Sequence, residues 1–172
     1  MKRAALALVA VLACCQTLSF AQVKPITPTE RITTLAGQWR LDPTKGIDSG
    51  CGNTIDQTIR IGVSQEGVNF ESRRLAGLIK FDGSATTMTG LGNFNGTASA
   101  TLDGGWLAVT TRRNRAGGAL AGSTNVQHDV FIVRGDELTI WRTFNIELPN
   151  GTQSNNICGN RQAVVYQRQR QP

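Results

Sequence analysis

From Leu35 onward, short apolar runs of period two alternate with Gly, Asp and Asn punctuation, and no stretch holds a 3.6-residue period long enough for a core helix. A chain patterned this way buries its apolar residues on one face of each strand, so the fold class is all-β. The expected strands are Leu35–Leu41, Ile55–Ser64, Val68–Arg74, Leu78–Phe81, Ser84–Met88, Thr97–Leu102, Gly105–Arg113, Thr124–Arg134, Glu137–Glu147 and Gln162–Gln169. That makes ten, or eight if the fourth and fifth, which carry the weakest pattern, are dropped.

The connections alternate in kind. Glu66-Gly67, Asp82-Gly83, Asp103-Gly104 and Gly135-Asp136 read as two-residue hairpin turns, because glycine accepts the positive φ of the primed turns. Longer loops lie between them, over 42–54, 75–77, 89–96, 114–123 and 148–161. In an antiparallel up-and-down meander every tight turn then falls at one end and every long loop at the other. Closure removes exposed sheet edges, which predicts an 8- to 10-stranded barrel. Two-residue turns also predict Val63 opposite Phe70 and Ile61 opposite Ser72, with Ala100 opposite Leu107 and Ala98 opposite Val109. Ala98 and Ala100 leave inner space for a large neighbour or for a ligand.

The first 21 residues are expected to be a signal peptide: Met1-Lys2-Arg3 is basic, Ala4 to Cys15 is apolar, and Ser19-Phe20-Ala21 is a small-x-small cleavage signal. Val11-Leu12-Ala13-Cys14 also resembles a bacterial lipobox, in which Cys14 would be lipidated and anchor an outer-membrane lipoprotein. Either reading places the protein in the periplasm or outside the cell. Residues 22–34, with Pro25 and Pro28, are expected to be an extended N-terminal segment, and 35–172 a single barrel domain. Cleavage after Ala21 leaves Cys51 and Cys158, and an even pair in an oxidising compartment predicts a disulfide. On the meander both cysteines fall in loops at the same end.

With 17% charged and 40% hydrophobic residues the chain has enough apolar content for a core, and it has no apolar run of about 18 residues to span a membrane as a helix. Catalytic signatures are missing: there is no G-x-S-x-G, no phosphate loop and no strand-coupled dinucleotide fingerprint. One histidine, His128, and two distant cysteines supply no metal-ligand set. A non-enzyme without metal or cofactor is expected. Nucleic acid is not an expected partner either, because the arginine clusters lack interleaved aromatics.

Arg142 is the most unusual residue. Leu138, Ile140, Phe144 and Ile146 share its parity, so its side chain should point inward. An unpaired buried guanidinium costs several kcal/mol, which predicts a partner. A two-residue turn at Gly135-Asp136 makes that partner Asp129, and a loop one residue longer would make it His128. The pair is either a structural ion pair or the anchor of an anionic ligand. The long-loop end collects Arg40, Lys45, Arg73, Arg74, Arg112, Arg113, Arg115 and Arg161 against Asp42, Asp48, Asp56 and Glu147. That excess would steer acidic molecules to the mouth of the barrel.

Leu35-Ala36-Gly37-Gln38-Trp39 resembles the G-x-W signature that opens the first strand of lipocalins and their calycin relatives, and the broad set of secreted bacterial lipocalin-like proteins is the nearer likeness. The resemblance implies an antiparallel barrel for small, mainly apolar molecules, with Trp39 packed beneath a basic residue of the last strand, Arg168 or Arg170. Taken with the one-sided loops, the Arg-rich end and the inward parity of Arg142, it makes a small amphipathic or anionic molecule, such as a lipid, the expected partner, bound by Trp39, Arg142, Phe144, Arg112, Arg113 and Arg115. The same five-residue run is similar to the start of small periplasmic metalloprotease inhibitors, for which the free segment Gln22 to Thr34 would enter a protease cleft. A structural or interaction domain of the envelope without ligand is the third reading.

Overall fold

The computed structural model describes residues 28–47, 55–73, 75–90, 94–103, 106–155 and 162–170. One short helix, α1 (Pro28–Thr33), precedes the strands β1 (Gly37–Ile47), β2 (Thr58–Val63), β3 (Gly67–Glu71), β4 (Ala76–Lys80), β5 (Thr86–Gly90) and β6 (Phe94–Asp103). β7 (Trp106–Asn114), β8 (Thr124–Arg134), β9 (Glu137–Glu147), β10 (Gln153–Asn155) and β11 (Gln162–Arg168) complete it. Ten strands form one antiparallel meander in the order β4-β3-β2-β1-β11-β9-β8-β7-β6-β5, and β10 pairs with β9 off this path. The result is a nearly closed barrel. The first and last strands, β1 and β11, are hydrogen-bonded to each other from Trp39 opposite Arg168 to Ile47 opposite Ala163.

The two edges of the sheet are therefore β4 and β5, consecutive strands that carry the weakest pattern. Asp82 accepts a hydrogen bond from the Ser84 amide at 2.9 Å, an Asx turn inside a five-residue link, 81–85, that replaces the expected two-residue turn. Side-chain packing bridges the seam instead. Met88, fully buried, lies against Gly77, where a Cβ would stand 3.6 Å from its Cε.

Two hairpin registers differ from expectation by two residues. Val63 faces Val68 and Ile61 faces Phe70, while Ala100 faces Val109 and Ala98 faces Thr111. The first turn falls on Gln65-Glu66, closed by the Ser64 amide on the Gly67 carbonyl at 3.0 Å. Gly67 is needed in the strand rather than the turn, because any Cβ there would meet the Ile79 carbonyl at 2.2 Å. A two-residue slip preserves parity, so the inward faces remain as expected. The β8–β9 hairpin has the expected register, with Arg134 opposite Glu137, Asp129 opposite Arg142, and Gly135 at φ +61.

The inward face of β7 alternates with its outward face residue by residue, and Leu107 and Val109 are almost fully buried. Trp39, Ile61, Val68, Ile79, Leu138 and Tyr166 join them in a continuous core. Phe70 of β3 and Phe131 of β8, five places apart in the ten-strand order, touch across the barrel with ring centroids 5.3 Å apart. The lower half of the barrel is thus a filled core. Ala98 and Ala100 are buried within it, so the space they leave is taken by neighbouring side chains.

The expectation of an extended segment over 22–34 is corrected at its C-terminal end. Residues 28–33 form α1, because Ile32 and Leu35, three apart, both find cover against the tight-turn end of the barrel, where each is about 5% exposed or less. The helix closes with the Leu35 amide on the Ile32 carbonyl at 2.9 Å. β1 runs further than expected, to Ile47, because its register shifts between Leu41 and Gly46. The Asp42 carboxylate accepts from the Thr44 amide at 3.0 Å and the Thr44 hydroxyl at 2.6 Å, organising this bulge. The expected signal peptide over 1–21 with Cys14, the segment 22–27, Cys51 and Cys158 lie outside the described residues. The end of β1 and the start of β11, the strand termini nearest the two cysteines in sequence, lie side by side, with Ile47 opposite Ala163.

Candidate functional site

Above the Phe70–Phe131 contact the inner wall changes from apolar to polar. Arg142 on β9 donates to Asp129 on β8 through Nε at 2.8 Å and Nη2 at 3.0 Å, a bidentate pair with side chains only 13% and 6% exposed. The partner is the one that the two-residue turn implies, and His128 faces outward, 2.9 Å from the Thr110 hydroxyl. Gln127 donates its amide to the second Asp129 oxygen at 2.7 Å, and Thr111, 8% exposed, lies across from Gln127 on β7. Burial disfavours the Arg142 charge, but the Asp129 carboxylate and its hydrogen bonds outweigh that, and the guanidinium is held above its ordinary value. Among the described residues no group hydrogen-bonds Arg142 Nη1. Phe144, half-buried, places its ring 5.9 Å from the guanidinium carbon.

Tyr166 completes this layer from β11. Its hydroxyl donates to the Asp56 carbonyl at 3.0 Å, and burial pushes its pKa up, against the pull of the Arg142 charge. Gln127, Thr111 and Tyr166 were not expected in the site. Strand parity carried the signal for two of them: Gln127 shares the face of Asp129, and Thr111 that of Leu107 and Val109.

Trp39 sits elsewhere. It lies at the start of β1, at the tight-turn end, and is fully buried. Its indole Nε1 donates to the Leu35 carbonyl at 2.9 Å. Arg168 stacks on the ring with its guanidinium carbon 4.2 Å from the centroid, and its Nη1 and Nη2 reach the Ala36 and Thr34 carbonyls at 2.7 and 2.6 Å. Gly37 makes this possible, since a Cβ there would stand 2.7 Å from Arg168 Nη1. Arg168 rather than Arg170 therefore covers Trp39; Arg170 pairs with Asp136 at 3.1 Å. The expected grouping of Trp39 with Arg142 and Phe144 is corrected, because β1 begins at the end opposite the long loops.

The basic rim is also more neutral than its composition. Arg112, on the outer face, is ion-paired with Glu147. Arg115 donates through Nε to Asn125 at 3.1 Å and ties down its own loop. Arg113 shares the inward parity of Thr111 and is half-buried. Lys45, expected at this rim, lies instead in the β1 bulge and reaches toward the tight-turn end, where its ammonium meets Glu137 at 2.8 Å. Among the described residues no group of His, Cys, Asp and Glu could hold a metal ion. No protein-family model and no curated protein matches the sequence, so the reading rests on geometry.

Proposed function

We propose that the protein is an extracytoplasmic, lipocalin-like binding protein that takes a small amphipathic or anionic molecule into the upper, long-loop half of its barrel. The observation that carries this reading is Arg142: a guanidinium neutralised on one edge by Asp129, with no acceptor for Nη1 among the described residues and Phe144 beside it. A barrel interior made only for stability gains nothing from a buried charged layer, since well-packed apolar residues serve as well or better. A ligand oxygen at Nη1 would complete the guanidinium, and its hydrocarbon would rest on Phe144 above the filled core. The Trp39–Arg168 stack, which matches what the lipocalin resemblance implies, supports the family likeness. The secretory character of residues 1–21 supports the compartment.

Native mass spectrometry of the protein purified from the envelope of its own cells tests the reading. A retained mass is expected, and it should be lost in the Asp129→Leu/Arg142→Met double variant, which removes the site but not the fold. Wild-type protein without any retained mass, or a mass that survives in the double variant, would argue the proposal down.

A further inference from the structure

A second concavity lies at the opposite, tight-turn end, between α1 and the ends of β7 and β8. It encloses about 510 Å³, inside the range of small-molecule sites. Its apolar walls are Leu35, Trp106, Leu107, Phe131 and Val133. Among the described residues its charged lining groups are Arg31, Arg134 and Arg168. Asp136, the nearby carboxylate, is occupied by Arg168 at 3.5 Å and Arg170 at 3.1 Å.

The three arginines differ in what they can offer. Arg31 stacks over Trp106 with its guanidinium carbon 5.3 Å from the ring centroid. Arg168 is committed to two carbonyls and Trp39, as above. Arg134 is exposed, and its cross-strand neighbour Glu137, the natural acceptor, is drawn away to Lys45 at 2.8 Å. Among the described residues no hydrogen bond or ion pair holds Arg134. An apolar pocket ringed by fixed positive charge, with one uncommitted guanidinium at its rim, is complementary to an amphipathic anion.

We infer that this pocket is a second binding site, separate from the Arg142 layer, for an amphipathic anion whose charged group meets Arg134 and whose hydrocarbon lies against Trp106 and Phe131. The site stands independently of the function proposed above, because the filled core and the Phe70–Phe131 contact separate the two.

Decanoate is a suitable probe. The three tryptophans give distinct indole N–H resonances in a ¹⁵N-labelled sample, and Trp106→Phe assigns the one in the pocket. Decanoate is expected to move the Trp106 resonance, with affinity about tenfold weaker in Arg134→Ala and with decanol, which lacks the charge, binding correspondingly less well. Thr34→Trp, at an exposed lining position, should fill the pocket and abolish the shift; both substitutions are on the surface and leave the core intact. An unmoved Trp106 resonance, equal binding by Arg134→Ala, or equal binding of decanol would overturn the inference. If decanoate instead moves only resonances of the upper barrel half, the second site is refuted while the Arg142 reading gains support.

Discussion

Replacing Arg142 by Met tests the buried polar layer most directly. The substitution keeps the length of the side chain and its place beside Phe144, but it removes two of the three hydrogen bonds that the Asp129 carboxylate receives among the described residues and leaves that of Gln127 at 2.7 Å. With the Asp129 side chain 6% exposed, water cannot restore them. Breaking a buried pair from one side costs about 3 to 5 kcal/mol. Urea denaturation at pH 7 should read a loss of this size. Adding Asp129→Leu removes the carboxylate, and the double variant should return to within about 1 to 2 kcal/mol of wild type, the remainder reflecting the unpaired Gln127 amide. A single variant within about 1 kcal/mol of wild type, or a double variant no better than the single, would refute the view that burial of this pair dominates its energetics.

Four further outcomes follow from the geometry. Phe70→Ala should lose about 3 to 4 kcal/mol in chemical denaturation, because it opens a cavity in the middle of the barrel opposite Phe131; a loss under 1 kcal/mol would mean that the contact is peripheral. Gly37→Ala, at φ +146 and beneath Arg168, should cost about 1 to 2 kcal/mol in thermal melts, and an unchanged melting temperature would contradict the close approach of Arg168. Tyr166 is the only tyrosine, and its raised pKa means that the folded state holds its proton more tightly than the unfolded chain does. Its contribution to stability is complete below about pH 10 and declines as pH rises beyond it, so the tyrosinate absorbance should appear above that pH; a step at the ordinary tyrosine value without unfolding would refute its burial. Cys51 and Cys158 are expected to be joined, since their loops leave neighbouring ends of β1 and β11, and a loop of 107 residues closed this way gains about 4 to 5 kcal/mol in the chain-entropy model. Peptide mapping under non-reducing conditions that finds both thiols free would dismiss the bond.

Some of this molecule is readable residue by residue, and some is not. Period-two alternation is a local property, so the all-β class, the limits of β8 and β9, and the inward parity of Arg142 with Leu138 and Ile140 all stand in the sequence. The sequence narrowed the partner of Arg142 to Asp129 or His128, and the two-residue turn with Gly135 at positive φ decides for Asp129. Parity also survives the two-residue slips in the other hairpins, which is why the inner face was legible even where the register was not.

What only the tertiary structure decided are the relations between residues far apart in the chain. Gly67 looks like a turn glycine until the Ile79 carbonyl closes on it from β4. The segment around Ile32 shows no helical pattern long enough to be recognised, and it becomes a helix because the barrel end offers its two apolar side chains a surface. Glu137 stands opposite Arg134 in the hairpin yet binds Lys45, which leaves Arg134 at the rim of a pocket. The filling of the barrel by Phe70 and Phe131, and with it the division into a packed lower half and a polar upper layer, depends on which strands lie across from one another after closure. Turn chemistry and alternation act over a few residues and are written in the sequence, whereas packing and charge pairing are settled by whichever groups the closed barrel brings within reach.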